Sequence, residues 1–269
     1  MNETADSVAA QPAPGSKAPA IHPLRFSDLP EILRAGLRDF RAALVYDLAI
    51  AGVYAIGGLA LILGLLFYDL PYLIYPLAVG FALIAPFAAA AFYGVSRAIE
   101  QGQPVTWRGI FGSVRHTTRS GLGWMALVTV FALIIWMDIA AMLFFGFFGL
   151  RDFSATEFLQ TLFTTPSGLV FFVLGNAIGA VISLAIFSLT VTSLPMLFDR
   201  PVDFITAMIT SVKLVFANPG PMVAWSAVIG LLLAASLATA LLGLFVTLPV
   251  LGHATWHLYR KAILPDATA

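Results

Sequence analysis

The stretch that most limits the fold runs from residue 221 to residue 260. It is forty residues long, almost wholly apolar, and its first full charge is Arg260. As one helix it would be about 60 Å long, twice the roughly 30 Å hydrocarbon core of a bilayer. It has to fold back on itself, and the turn is expected near Leu237–Gly243. Four more stretches reach spanning length. They are roughly 43–67, ending at Tyr68-Asp69-Leu70-Pro71; roughly 72–96, with Pro76 and Pro86 inside; roughly 121–147; and roughly 167–198, long enough to tilt or to begin as an interfacial segment. The expectation is six transmembrane helices.

Composition makes a soluble alternative untenable. The chain is 60% hydrophobic and 10% charged, with mean hydropathy +0.94, where a soluble domain carries about 25% charged residues. The class is therefore an all-α polytopic membrane protein. There is no cysteine, which removes disulfides, thiolate catalysis and cysteine-ligated metals and leaves the redox compartment open.

Net charge is zero, but its placement is informative. With six spans, Lys17, Arg25, Arg34, Arg38, Arg41, Arg97, Arg108, Arg115, Arg119, Arg200, Lys213, Arg260 and Lys261 all fall on one side, and only Arg151 falls on the other. The positive-inside rule then puts both termini in the cytoplasm. Five or seven spans would destroy this segregation. The basic residues are dispersed along membrane-proximal segments, a pattern suited to anionic lipid headgroups and not to nucleic acid.

Residues 1–24 are rich in Ala, Pro and small polar residues and are expected to form a disordered tail, with no apolar core of signal-peptide length. Residues 25–41 read as an amphipathic helix. Ser27 is an N-cap type and Pro30 lies early; Leu29, Ile32, Leu33, Leu37 and Phe40 form one face, and Glu31, Arg34, Arg38 and Arg41 lie largely on the other. Such a helix either lies in the membrane interface or packs on the protein's own cytoplasmic side. Both readings stay open in the sequence.

Two further segments share its character. Pro104-Val105-Thr106-Trp107 opens one, and Pro201-Val202-Asp203-Phe204 opens the other, with Thr106 and Asp203 as N-cap types. Stripes follow: Trp107, Ile110, Phe111 and Val114 in the first; Phe204, Ile205, Met208, Ile209, Val212, Val215 and Phe216 in the second. Pro86 lies eleven residues before Arg97, and Pro249 lies eleven before Arg260. These likenesses suggest a membrane domain over 25–264, built from three parallel units, 25–100, 104–200 and 201–263, each an amphipathic helix followed by two spans.

Four segments carry a family resemblance: IHPLRFSDLPEILRAGLRDF (21–40), SRAIEQGQPVTW (96–107), PVDFITAMITSV (201–212) and HATWHLYRKAI (253–263). In them the chain resembles an uncharacterised proteobacterial family of integral membrane proteins, a domain of unknown function whose members are sometimes labelled cytochrome c oxidase subunits. The resemblance implies the bacterial inner membrane and at most an association with the respiratory chain.

Residues able to carry chemistry are few. His253 and His257 are spaced i, i+4 on one face of the last span, and His116 lies on a surface helix; together they are the candidates for a metal or haem-edge site. They lie close to Arg260, near the headgroups, and four histidines in total do not supply an oxidase ligand set. Asp138 is the charge most clearly inside a span, and about 25 Å of helix from Gly121 puts it near the far interface. Asp47 is expected to pair with Arg41 or a link arginine. Asn176 sits among Gly175, Gly179 and Ser183, a small-residue ridge that permits close helix approach and a hydrogen bond across it. No P-loop, GxSxG, HExxH or nucleotide fingerprint is present, and no cofactor is expected. The leading expectation is a non-enzymatic inner-membrane scaffold or accessory protein; the alternatives are a small transporter or channel with Asp138 and Asn176 on its path, and a haem- or copper-binding oxidase-related subunit.

Overall fold

A computed structural model describes residues 20–68, 88–117, 121, 123–151, 153 and 155–263. Among them all regular structure is helical apart from a single β-bridge, Ile21 to Ile263. The helices are α1 (Asp28–Ala42), α2 (Leu44–Tyr68), α3 (residues 88–100), α4 (Trp107–Thr117), α5 (Gly123–Phe148), α6 (Ala155–Thr164), α7 (Pro166–Thr190), α8 (Ser193–Asp199), α9 (Phe204–Ala217), α10 (Pro219–Ala238) and α11 (Leu244–Ala262).

Among the described residues, four stretches are long and apolar enough to cross a membrane: Leu44–Gly64, Gly123–Phe148, Pro166–Asp199 and Pro219–Ala238. The expected second span falls mostly on residues 69–87, outside the described residues. The forty-residue run does fold back, through a turn at 239–243 where Ala240 and Leu241 adopt positive φ. Its second arm, α11, is 19 residues long and ends in Trp256, His257, Tyr259, Arg260 and Lys261. That polar end keeps it from reading as a plain apolar span.

α11 runs through the core, burying Leu251, His253, Ala254, Trp256, Leu258, Tyr259 and Ala262. α1 and α2 pack along it. The approach of α1 depends on Gly36, where a Cβ would stand 2.6 Å from Val250 O and 2.7 Å from Ala254 N. The approach of α3 depends likewise on Gly252, whose Cβ would stand 2.7 Å from the Phe92 ring. α1 thus packs on the protein itself, which decides between its two sequence readings. Arg34, Arg38 and Arg41 remain exposed on its outer side. Its start differs from expectation: Ser27 makes no side-chain cap, and the Asp28 carboxylate accepts from Arg25 N instead, at 2.7 Å.

The core is concentrated at the basic end of the bundle, around Trp225, Trp256, Tyr259, Met196, Leu197 and Leu214. Tyr93 stacks on Trp256 at 6.1 Å, and the Phe198 ring meets Trp256 edge-on at 5.8 Å. The chain ahead of α1 crosses this end: His22 N donates to Ala262 O, and Leu24 N to Asn218 Oδ1.

The other end is looser. α5 buries only Met125, Ala126 and Phe148, and α7 only Gly168. Phe144, Phe148, Phe153, Phe158 and Phe171 form a cluster of tilted and edge-to-face rings that ties α5, α6 and α7 together. α9 splits its apolar stripe: Val215 is buried, and Phe204 and Met208 lie half-buried against the core. Its buried residues are Ala207, Thr210, Ser211, Leu214 and Val215, while Ile205, Ile209 and Phe216 are exposed. Small and hydroxyl residues thus make part of its helix contact. Asp203 does cap α9, accepting from Thr206 N at 2.9 Å, and Thr106 caps α4 through Gly109 N.

Candidate functional site

The convergence of α1, α2, α3 and α11 places five polar side chains in one chain of hydrogen bonds. His257 Nε2 stands 2.7 Å from Asp39 Oδ2. Ser96 Oγ–H donates to the same oxygen at 2.9 Å, and Ser96 Oγ lies 2.8 Å from His253 Nδ1. His253 Nε2 then lies 2.9 Å from Asp47 Oδ2. Ser96, His253, Asp39 and Asp47 are all at or below 2% exposure, and only the His257 side chain, 23% exposed, reaches the rim.

Two carboxylates in such a place would be costly without partners. Here each faces an imidazole. Ser96 has one hydroxyl proton, so when it donates to Asp39 its oxygen must accept from His253 Nδ1–H. The remaining proton lies between His253 Nε2 and Asp47 Oδ2. Asp47 Oδ1 is buried with no hydrogen-bond partner among the described residues. Burial pushes the Asp39 carboxyl up, but the hydrogen bond and charge of His257, the Ser96 hydroxyl and the charge of His253 outweigh it and hold the group below the ordinary carboxylate range. The Phe92 ring closes over His253 edge-on, with centroids 5.6 Å apart.

Around the rim, a second set of contacts fastens the end of α11. Arg260 pairs with Glu100 at 2.7 Å and with Asp199 at 3.5 Å, and Trp256 Nε1 donates to Glu100 Oε2. Lys261 reaches both Asp28, at 2.8 Å, and Glu31, at 3.0 Å. Arg200 Nε donates to Tyr259 OH, which donates to Asp199 Oδ2. Arg260 and Lys261, expected at the headgroups, are thus engaged within the chain.

The other sequence candidates separate. Asp47 pairs with His253 and not with Arg41 or a link arginine, because α11 and not a link lies against the start of α2. His253 and His257 share a face as expected, but each is taken up by a different aspartate; the His116 side chain lies outside the described residues. Among the described residues, no group of three His, Cys, Asp or Glu is arranged to hold a metal ion. Asn176 donates to Phe172 O of its own helix, not across a helix contact. Of its ridge, Gly179 does receive a neighbour, the Trp136 ring of α5. These residues border an apolar cavity of about 550 Å³ that Phe158, Leu162 and Phe171 also line.

Asp138 lies mid-helix, because α5 continues through ten more residues, to Phe148, beyond it. It is exposed on the side of the span, and no described side chain pairs with it. Arg108 and Arg115 are exposed on α4, Arg97 lies 6.0 Å over the Phe198 ring, and Arg119 falls outside the described residues.

No curated protein and no solved structure matches this chain. Residues 74–199 match a family model described as "Predicted integral membrane protein (DUF2189)". That stretch contains the exit-and-link segment 96–107 and, with it, Ser96. With several helices of spanning length and this match, the chain is a polytopic integral membrane protein whose residues 74–199 carry the pattern of a family of unknown function.

Proposed function

We propose that this protein is a non-enzymatic accessory subunit of the bacterial inner membrane. In this reading it has six spans in three parallel units, both termini in the cytoplasm, and a place beside a larger membrane complex. The observation that carries the reading is Asp138: a carboxylate halfway along an apolar span, exposed, with no described side chain to receive it. Facing lipid, such a group costs about 2.5–3.5 kcal/mol. A donor on a neighbouring membrane protein removes that cost. The apolar faces of α5 and α7, including Leu127, Phe131, Val173 and Val181, supply the surrounding contact area. At the other end the polar side chains that could do chemistry are bonded to one another, and Asp39, Asp47, Ser96 and His253 are buried. Exposed Arg34, Arg38, Arg41, Arg108 and Arg115 suit lipid headgroups. A respiratory complex is the first candidate partner, on the family resemblance.

Tagged wild type and Asp138→Leu, extracted from native membranes in mild detergent, test this by mass spectrometry. Wild type is expected to bring down one membrane complex in fixed stoichiometry, and the variant to lose it while remaining folded. Wild type that purifies alone, or a variant that keeps the complex, overturns the proposal.

A further inference from the structure

The buried hydrogen-bond chain has a property that a static fastening does not need. Its two middle members, the Ser96 hydroxyl and the His253 imidazole, each accept on one side while donating on the other. Three bonds in series, Asp39–Ser96, Ser96–His253 and His253–Asp47, hold three protons. All three can point toward Asp39 or all three toward Asp47. We propose that these four side chains form a proton relay in which a concerted shift exchanges the proton between the two carboxylates, with His257 as the port to the rim.

The balance is closed. In one sense Asp47 is protonated and donates to His253 Nε2, Nδ1–H donates to Ser96, and Ser96 donates to an ionised Asp39. In the other sense Asp39 is protonated and donates to Ser96, Ser96 donates to His253 Nδ1, and Nε2–H donates to an ionised Asp47. Three protons move one bond each, none is gained or lost, and no heavy atom has to change partner. His257, on the same Asp39 oxygen and partly exposed, exchanges protons with solvent. At the inner end Asp47 Oδ1 has no partner among the described residues, so a charge arriving there is not held by a second donor. The members come from every element packed at this point: Asp39 from α1, Asp47 from α2, Ser96 from α3, and His253 and His257 from α11. The relay stands apart from the docking reading, which rests on α5.

The test is infrared spectroscopy of the full chain in nanodiscs after a pH jump, following the carboxylic-acid C=O band. Asp47→Asn and Asp39→Asn assign the band. In Ser96→Ala both carboxyls and both imidazoles remain while the link is cut, and the Asp47 response is expected to slow by about a hundredfold or more, the usual worth of a positioned proton-transfer group. Ser96→Thr restores the hydroxyl and should restore the rate. Ser96→Ala at the wild-type rate, Ser96→Thr as slow as Ser96→Ala, or an acid band that survives both Asn variants overturns the proposal.

Discussion

Gly36→Ala is a one-methyl probe of the joint on which the buried chain depends. The added Cβ would stand 2.6 Å from Val250 O, 2.7 Å from Ala254 N and 2.9 Å from Ala254 Cβ. Two of these atoms are backbone of a packed helix, so no side-chain rotation relieves the clash and α1 must move off α11. Overpacking of this kind costs about 1–3 kcal/mol. Against it stands the gain from replacing a helical glycine by alanine, about 1 kcal/mol. Asp39 follows Gly36 by one turn, so the displacement also strains the 2.7 Å His257–Asp39 contact. Two clashes with backbone atoms put the cost in the upper part of the overpacking range, about 2–3 kcal/mol, so the net expectation is a loss of about 1–2 kcal/mol, read by detergent-titrated unfolding followed through tryptophan fluorescence. Gly112→Ala is the control: it lies inside α4 with nothing within 4 Å of the added carbon and should be neutral or stabilising. If Gly36→Ala is as stable as wild type while Gly112→Ala gains, α1 is not seated on α11 and the reasoning fails.

Three further outcomes are expected. Because the Asp39 carboxyl is held low, its contribution is complete above the unfolded value of about 3.9 and disappears as pH falls through the folded value. The stability gap between wild type and Asp39→Asn should therefore be constant at neutral pH and close below about pH 4, as thermal melts across that range will show. Gly168→Ala should cost about 2 kcal/mol or more in the same unfolding assay, since its Cβ would collide with Thr161 O and Leu162 backbone where α6 turns into α7; an unchanged midpoint would contradict this geometry. Single cysteines placed in this cysteine-free chain at Gln101 and Arg151 should label from opposite faces of intact cells, Arg151→Cys from outside and Gln101→Cys only after permeabilisation.

The helical class, the fold-back at 239–243 and the shared face of His253 and His257 were legible because each is a local pattern. The identity of the histidines' partners was not. Asp39 reads at first as one more charge beside Arg38, yet it falls at helical spacing on the face of Ile32, Gly36 and Phe40, and a carboxylate inside an apolar stripe is the signal that would have found it. Ser96 offered no signal, since a small residue beside Gly94 is what any helix contact requires. Arg260 and Lys261 were legible as charges closing an apolar run, but Glu100, Asp199, Asp28 and Glu31, which neutralise them, are scattered over the chain and meet only in three dimensions. The α9 stripe was legible as an amphipathic pattern, but the close contact falls to Ala207, Thr210 and Ser211, which a hydrophobic pattern does not mark.

α11 is also the last helix of the described chain to be made. Asp47 must wait for a residue 206 positions later, and Asp39 for one 218 positions later. At translation rates of about 5–20 residues per second, the first helices stand in or on the membrane for roughly 10–40 s before their partners emerge. Ser96, 57 positions after Asp39, reaches that carboxylate sooner, but Asp47, which ends up dry, has no described partner until His253 arrives. Closure of the bundle is thus a single late event, and a nascent chain interrupted before α11 exposes an unsatisfied acidic seam that distinguishes it from a finished protein.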